Sequence, residues 1–150
     1  MLELVPFGER DIPFYIDNLR DTYVERSAVH GFGLHAGRAL AAGERLGVLD
    51  GQLVDRSSFE RMVSRQPFSG YGRYLFEEWN AISADRLLVR PLRSKYGFIN
   101  HSRTPNLQIT RHASSLCVDV LADVGADEEL FLDYRAEPLG EEYRRQNDFL

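Results

Sequence analysis

The sequence has 150 residues with a single cysteine, Cys117, and no long apolar run. One cysteine excludes an internal disulfide and a multi-cysteine zinc cluster, which favours a reducing compartment. No stretch approaches the roughly 20 apolar residues of a transmembrane helix, and the amino terminus MLELVPFGERD lacks the basic start and apolar core of a secretion signal. We therefore expect no membrane association and a cytoplasmic location, or a nuclear one if the protein is eukaryotic or is targeted to a host.

Positive charge is also scarce, since 18 Lys and Arg stand against 23 Asp and Glu, for a formal net charge of −5. This balance repels a nucleic-acid backbone, so we expect no direct binding of nucleic acid and favour a cationic partner. Acidic residues gather at Glu77-Glu78, at Asp85 and at Asp127-Glu128-Glu129, although hydrated surface charge explains most such groups. The chain shows no internal repeat, and its length suits one domain.

Short strand-like runs dominate the sequence and predict a mainly β fold. They cover residues 22–26, 34–40, 44–49, 86–89, 106–110, 116–121 and 129–134. Two helices are expected. A capping box at Ser57-Ser58-Phe59-Glu60 opens a helix that ends near Arg65, and a short helix covers Glu141 to Gln146. Long helical patterns are missing, which argues against a parallel α/β sheet.

The stretch HGFGLHAG contains Gly31-x-Gly33-x-x-Ala36, which has two interpretations. It satisfies a relaxed dinucleotide fingerprint, but the helix that should follow is not predicted. The alternative is a tight turn between two strands. In either case, the missing side chains at Gly31 and Gly33 would let a ligand approach backbone N–H and C=O groups.

The stretch GFINHSRTPN places Asn100, His101 and Ser102 directly after an apolar pair. A metal site would need partner ligands at a suitable spacing, which the four histidines do not provide, so no metal is expected. A Ser-His-Asp hydrolase could combine Ser102 and His101 with Asp133, but no nucleophile elbow is present. A turn whose side chains satisfy buried backbone groups is the plain structural alternative.

Three stretches, SAVHGFGLHAGRALAAGE (27–44), YGFINHSRTPN (96–106) and DEELFLDY (127–134), together resemble the SET-domain family of protein lysine methyltransferases in wording, order and separation. The likeness runs from Val24 to Tyr134 and is closest to small viral and bacterial members. It implies a β-clip-like SET-domain fold of several short sheets with a few short helices, in which the Asn-His-Ser segment and the carboxyl-terminal strand cross in a pseudoknot. One domain over 1–150 is expected, with a core at about 24–134, an N-terminal extension 1–23 and a tail 135–150 without a zinc-binding module.

The resemblance also implies S-adenosyl-L-methionine as the cofactor, with S-adenosyl-L-homocysteine as the product. Tyr134 aligns with the catalytic tyrosine of the family. The residues that would contact the cofactor are His30, Gly31, Phe32, Gly33, Tyr74, Asn100 and His101.

The sequence departs from the family pattern at several positions. Leu132 stands where many members have an aromatic residue that limits the number of methyl groups, so multiple methylation is expected. Leu49 stands where many members have a second channel tyrosine, and Arg103 replaces a frequent cysteine. Without a zinc-binding tail, Tyr143 or Phe149 could supply an aromatic lid over the channel formed by Leu132, Tyr134 and Leu49.

The chemistry of this interpretation starts from a lysine amine, which must lose its proton before it attacks a sulfonium methyl group. An apolar channel and the nearby positive sulfur both lower the pKa of that amine, so no dedicated base is required. We expect methyl transfer to a basic protein or peptide, with histone-like and ribosomal proteins among the candidates, and unpaired strand edges could support a homodimer. A catalytically silent SET-like module that binds a peptide or protein is the alternative, and a nucleotide-dependent oxidoreductase is a third hypothesis.

Overall fold

The computed structural model describes residues 14–65, 78–112 and 115–141. Within these ranges the chain forms ten short strands, one α-helix and two 3₁₀ helices, Lys95–Phe98 and Tyr134–Ala136. The strands are β1 (Thr22–Arg26), β2 (Phe32–Ala36), β3 (Arg45–Leu49), β4 (Gln52–Asp55), β5 (Glu78–Ala81), β6 (Arg86–Arg90), β7 (Asn100–His101), β8 (Leu107–His112), β9 (Ser115–Val120) and β10 (Glu129–Leu132), and the helix α1 is Arg56–Ser64. The prediction of a mainly β fold with several short sheets is confirmed.

The strands form three small sheets, with the orders β1-β2-β10-β7, β3-β9-β8 and β4-β6-β5. The pairs β1–β2, β3–β9, β8–β9, β4–β6 and β5–β6 are antiparallel, whereas β10 pairs with β7 in parallel. This parallel pair brings the Asn-His-Ser segment beside the last strand. No helix in the described ranges is both long and apolar enough to cross a bilayer.

The predicted strands agree best with the observed ones where hydrophobic residues alternate along a pair of strands with several paired residues. Residues 22–26 are a strand as expected, but β10 ends at Leu132 and not at Tyr134, because the chain turns there into a 3₁₀ helix. Strand β2 lies earlier than expected and ends at Ala36. Gly37 then turns close to β1, with its N–H donating to the carbonyl of Asp21 at 2.7 Å. Strands β4, β5 and β7 were not predicted.

Helix α1 was predicted in the right place, but the predicted capping box is wrong. The N-cap is Asp55, its side chain makes no capping hydrogen bond, and Ser57 lies inside the helix. Glu60 pairs instead with Arg56 one turn earlier, with 2.7 Å between Nε and Oε1. Of the predicted terminal helix only its start is described, where residues 140–141 are helical.

The hydrophobic core lies between the sheets and includes the lone cysteine, Cys117. Strand β9 is the centre of its sheet, and Cys117 and Val118 are at most 1% exposed there. Leu130 and Leu34 are opposite each other in β10 and β2, and both are fully buried. Each buried leucine contributes about 1.5–3 kcal/mol of transfer free energy, so β10 is held firmly beside β2.

A buried lysine ties the segment before β1 to the rest of the fold. Lys95, only 5% exposed, donates from Nζ to the carbonyls of Leu19 at 3.2 Å and Thr22 at 2.5 Å, and pairs with Asp17 at 2.6 Å. Its backbone N–H also donates to Ile16. These contacts satisfy the buried ammonium and fix the 3₁₀ helix that leads into Asn100.

Candidate active site beside the parallel strand pair

The three stretches that resemble the family meet in one sheet. In the registers of this sheet, Leu130 of β10 is opposite Leu34 of β2, and on its other side Phe131 of β10 is opposite Asn100 of β7. The glycine turn, the Asn-His pair and the end of β10 are therefore neighbours although the sequence separates them by up to about a hundred residues.

The glycine turn closes the β1–β2 hairpin. Gly31 has φ +53°, a conformation that suits glycine, and its carbonyl accepts from the N–H of Ser27 at 3.0 Å. The Ser27 hydroxyl oxygen accepts from the N–H groups of Val29 and His30 at 2.9 and 3.2 Å. Between β2 and β3 the described chain forms no helix, so the dinucleotide interpretation is wrong and the tight turn is confirmed.

The side chain of Asn100 points into this turn and meets more acceptors than it can satisfy. Its Nδ2 lies 3.1 Å from Ser27 Oγ, 3.3 Å from the His30 carbonyl, 3.2 Å from the Phe32 carbonyl and 2.8 Å from Glu129 Oε1. An amide nitrogen carries two hydrogens, so four acceptors leave a surplus of negative potential beside the turn. Such a group of oxygens suits a ligand ammonium.

Gly33 has a steric role that the sequence did not reveal. A Cβ at this position would lie 2.2 Å from Oε1 of Glu129. The carboxylate therefore occupies the space that any other residue would fill. Asn106 holds the strand that carries Glu129, because its side chain donates to the Glu129 carbonyl at 2.9 Å and accepts from the N–H of Phe131 at 2.7 Å.

His101 and Tyr134 are joined by a hydrogen bond at the end of β10. Nδ1 of His101 accepts from the backbone N–H of Tyr134 at 3.2 Å, which places the proton of a neutral ring on Nε2. In the described part of the chain that Nε2 is buried without a hydrogen-bond partner. The Tyr134 hydroxyl donates to the Ile99 carbonyl, directly before Asn100.

The neighbouring Asp133 belongs to the support of this turn. Its carboxylate accepts from the backbone N–H and the guanidinium of Arg135, and these bonds lower the pKa of Asp133 to about 2. It lies 3.8 Å from Nδ1 of His101. The hydrolase interpretation is wrong, because Ser102 contacts Thr104 at 3.2 Å and the near nitrogen of His101 already bonds to the backbone of Tyr134.

A cavity of about 210 Å³ opens beside Tyr134. It lies between the β5 strand, the 3₁₀ helix before β7 and the segment after β10. Its walls are mainly aromatic, aliphatic and backbone groups, as in many ligand sites. The residues that line it are Glu78, Trp79, Asn80, Ala81, Tyr96, Gly97, Ile99, Tyr134, Glu137, Leu139 and Gly140.

One wall of the cavity rests on a buried ion pair. Glu78 and Arg90 have side chains only 4% and 5% exposed and approach to 2.9 Å. Ser94 donates to the Glu78 carboxylate from both its hydroxyl and its N–H, at 2.6 and 2.8 Å, and Arg90 donates to Asn80 Oδ1 at 2.5 Å. Asn80 also bonds to the hydroxyl of Tyr96, whose pKa burial raises far above its usual range, so that phenol stays neutral. The network fixes Asn80 and Tyr96 at the cavity.

Glu137 is the second carboxylate of the cavity, and it differs from Glu78. Burial raises the pKa of Glu137 to about 7, against a weaker opposite effect from Arg111. No residue in the described ranges donates a hydrogen bond to its carboxylate. The sequence pointed to none of Glu137, Tyr96 and Trp79; its one signal was that Glu137 follows Tyr134 by three residues, about one turn of a 3₁₀ helix.

Other predicted site residues lie elsewhere. Leu49 and Leu132 are in the core, 3% and 5% exposed, and are not among the residues that line the cavity. Tyr74, Tyr143 and Phe149 lie outside the described residues, so their roles stay predictions. In the described ranges no three His, Cys, Asp or Glu side chains are grouped as metal ligands.

Comparison with known proteins identifies the family. The model of the SET domain family matches residues 31–135, which include the glycine turn, Asn100 and Tyr134. A histone-lysine N-methyltransferase of Aspergillus fumigatus, described as H3 lysine-4 specific, is 35% identical over 119 residues. The match spans 75% of this chain but only 9% of that relative. The chain belongs to the SET-domain family.

Proposed function

We propose that this chain is a protein-lysine N-methyltransferase that uses S-adenosyl-L-methionine and acts on a basic segment of another protein. The observation that carries the proposal is that Tyr134, which lines the cavity, donates from its hydroxyl to the Ile99 carbonyl, directly before Asn100 and its acceptor cluster. The name of the fungal relative supports a lysine in a histone as the substrate class. Histone H3 is therefore the first substrate to test.

The residues around the glycine turn fit the amino-acid part of the cofactor. The surplus oxygens of Glu129, His30 and Phe32 beside Asn100 would hold its ammonium group, because charge-assisted hydrogen bonds are about twice as strong as neutral ones. When bound, the cofactor supplies an electrophilic methyl group. His101 contributes by fixing the backbone of Tyr134 through Nδ1.

The chain's own part in the reaction is positioning. Tyr134 donates to the Ile99 carbonyl, which holds the phenol in one orientation at the wall of the cavity. Oxygens at this point can accept weak C–H···O contacts and can orient an amine. The aromatic walls exclude water from a lysine side chain, which favours its neutral form. Alignment of this kind is worth roughly 7–11 kcal/mol of the barrier.

A calorimetric titration with S-adenosyl-L-methionine tests the cofactor, and Asn100→Ala tests its site. The variant is expected to bind the cofactor roughly 10–100-fold more weakly, because Asn100 Nδ2 holds the Glu129 carboxylate in place beside the turn, and one hydrogen bond to a charged group contributes about 1.5–3 kcal/mol. The control Ser58→Ala, on exposed α1, should keep wild-type affinity. Thermal melting of both variants checks that they fold. Full affinity in Asn100→Ala would remove the proposed ammonium site.

Transfer of labelled methyl groups to histone H3, and to a whole-cell lysate, tests the reaction itself. Wild-type protein should label at least one basic protein. If it binds no S-adenosyl-L-methionine and labels nothing, the silent module becomes the better hypothesis. The observation behind that second candidate is Leu49, which brings no hydroxyl to the site.

The number of methyl groups added tests the role of Leu132. This residue is opposite His101 in the β7–β10 register, two positions before Tyr134. Leu132→Phe is expected to shift the product towards fewer methyl groups, because Leu132 is buried opposite His101 and the larger ring would push its neighbours towards the site, at an overpacking cost of about 1–3 kcal/mol. Mass spectrometry of methylated H3 measures the distribution. Leu132→Met, of similar volume, should leave it unchanged, and an unchanged distribution in Leu132→Phe would contradict the steric argument.

A further inference from the structure

The backbone after Tyr134 places Glu137 in the same cavity. Tyr134 begins the 3₁₀ helix that ends at Ala136, and the N–H of Glu137 points back to the carbonyl of Tyr134 at 3.4 Å. The N–H of Gly140 then donates to the Glu137 carbonyl at 2.8 Å. A Cβ on Gly140 would lie 2.5 Å from the carbonyl of Arg135, so this fold-back needs the glycine. Glu137 is thus fixed in relation to Tyr134 by the chain itself.

The other ionisable side chains that line the cavity already have partners, which leaves Glu137 as the group that can take a ligand. Glu78, the other acid of the cavity, is already bonded to Arg90 and Ser94. Tyr96 is neutral and bonds to Asn80, and the Tyr134 hydroxyl donates to Ile99. Arg111 acts on Glu137 only through its charge. No cation in the described ranges pairs with Glu137.

We propose that Glu137 accepts the proton of the substrate ammonium inside this cavity, a role that rests on the proposed methyl transfer. One N–H bond of the lysine Nζ breaks and an O–H bond forms on the Glu137 carboxylate. The electron pair remains on nitrogen, which becomes a neutral nucleophile held by a hydrogen bond to the new carboxylic acid. The proton then leaves Glu137 for water at the open side of the cavity. This assigns a base where the sequence suggested that none is required.

The environment of Glu137 makes this transfer feasible. An ordinary glutamic acid is too weak a base towards a lysine, because their reference pKa values differ by about six units, or six powers of ten in the equilibrium. Burial has already raised the pKa of Glu137 to about 7. The same apolar cavity lowers the pKa of the entering amine, so the two proton affinities approach each other. Glu137 also offers a hydrogen bond to the amine. This bond would replace the one lost where Leu49 stands in place of a channel tyrosine.

Glu137→Gln tests the role through the pH profile of methyl transfer to histone H3. In the wild type, kcat/KM should rise with pH through a limb near pH 7, where the free enzyme's Glu137 ionises. In Glu137→Gln that limb should be absent, and kcat/KM at pH 7.5 should fall roughly 10–100-fold with cofactor affinity unchanged. Glu137→Asp should restore the limb in part, and Glu60→Gln on α1 should behave as the wild type.

Thermal melting of Glu137→Gln checks that a loss of activity in this variant is not caused by misfolding. Because burial raises the pKa of Glu137 to about 7, the ionised carboxylate opposes folding above that pH. Its contribution to stability is complete below the usual glutamate pKa and is lost as the pH rises through about 7. Glu137→Gln should therefore melt at a higher temperature than the wild type at pH 8, although it is less active.

A binding measurement separates this proposal from the proposed function. In ¹³C-labelled full-length protein, the Glu137 carboxyl signal is assigned by its loss in Glu137→Gln and is titrated with pH. We expect n-butylammonium chloride to lower the titration midpoint by at least half a pH unit, because a cation favours the carboxylate, and n-butanol to leave it unchanged.

Each result then decides one claim. A midpoint that n-butylammonium does not move, or a Glu137→Gln enzyme that keeps the pH limb and the rate, overturns the role of Glu137 and leaves wild-type methyl transfer standing. A protein that responds to n-butylammonium but labels no protein overturns the proposed function, and the proton acceptor with it. A shifted midpoint together with the lost limb supports both.

Discussion

Replacement of Tyr134 by phenylalanine should lower methyl transfer to histone H3 by roughly 10²–10³-fold, the cost of removing one preorganised hydrogen-bonding group from an active site. The aromatic ring stays, and so does the backbone bond to His101, so the cavity keeps its shape. The lost atom is the hydroxyl oxygen beside Ile99. Affinity for S-adenosyl-L-methionine should change by less than about threefold, since the ammonium site at Asn100 is untouched and the hydroxyl acts mainly in the transition state. Single-turnover transfer and calorimetry measure the two quantities.

Tyr23→Phe is a matched control for this substitution. Tyr23 lies in β1 of the same sheet, and its hydroxyl donates to Asp127 at 2.9 Å on the surface. Loss of that exposed bond should leave the transfer rate within about twofold. Removing the Tyr134 hydroxyl also leaves the Ile99 carbonyl without this donor, at a cost of about 1–3 kcal/mol, so melting of both variants is compared. Equal transfer rates in Tyr134→Phe and wild type would contradict the proposed role.

Replacement of Arg90 by methionine should lower the free energy of unfolding by about 3–5 kcal/mol, the range for breaking a buried ion pair. The variant keeps an apolar stem but leaves the Glu78 carboxylate, only 4% exposed, without its cation. Asn80 and the Asp50 carbonyl lose their donors as well. Urea unfolding at pH 7 measures the difference.

Arg38→Met is the control for this loss of charge. Arg38 pairs with Asp21 and Glu44 on the surface, where its own side chain is 48% exposed, so the change should cost less than about 1 kcal/mol. The double variant Glu78→Gln/Arg90→Met should regain part of the stability, because no charge is then left buried. A loss below about 1 kcal/mol in Arg90→Met would show that water reaches the pair and would contradict its burial.

The sequence was most informative where hydrophobic alternation or a dense motif spans several residues. Strand β1 was predicted at its observed bounds, and the resemblance to the SET-domain family predicted that the glycine turn, Asn100 and Tyr134 share one site. Strand β7 could not be predicted, because two residues carry no period and the strand exists only through its pairing with β10. The N-cap Asp55 was not predicted either, because Ser57 and Glu60 match the capping-box pattern and Asp55 makes no capping hydrogen bond.

Prediction from the sequence also failed where a site is formed by side chains from separate elements. The tail was expected to serve the site through Tyr143 or Phe149, which lie outside the described residues and stay predictions. Within the described chain, Glu137 lines the cavity because the turn after Tyr134 folds back at Gly140. Glu137 shares its cavity with residues of β5 and of the 3₁₀ helix at Lys95–Phe98, which come much earlier in the chain. Such an environment is a property of three dimensions and has no local sequence signal.

Strand β10 is the last strand of the described residues, yet it occupies an inner position between β2 and β7. The earlier halves of the site therefore have no common framework until synthesis of the chain has passed Leu132. Closing such distant contacts is slow compared with forming a hairpin. A nascent or shortened chain that lacks this strand has the glycine turn and the Asn-His pair but nothing that joins them, so we expect ligand binding to report completed folding.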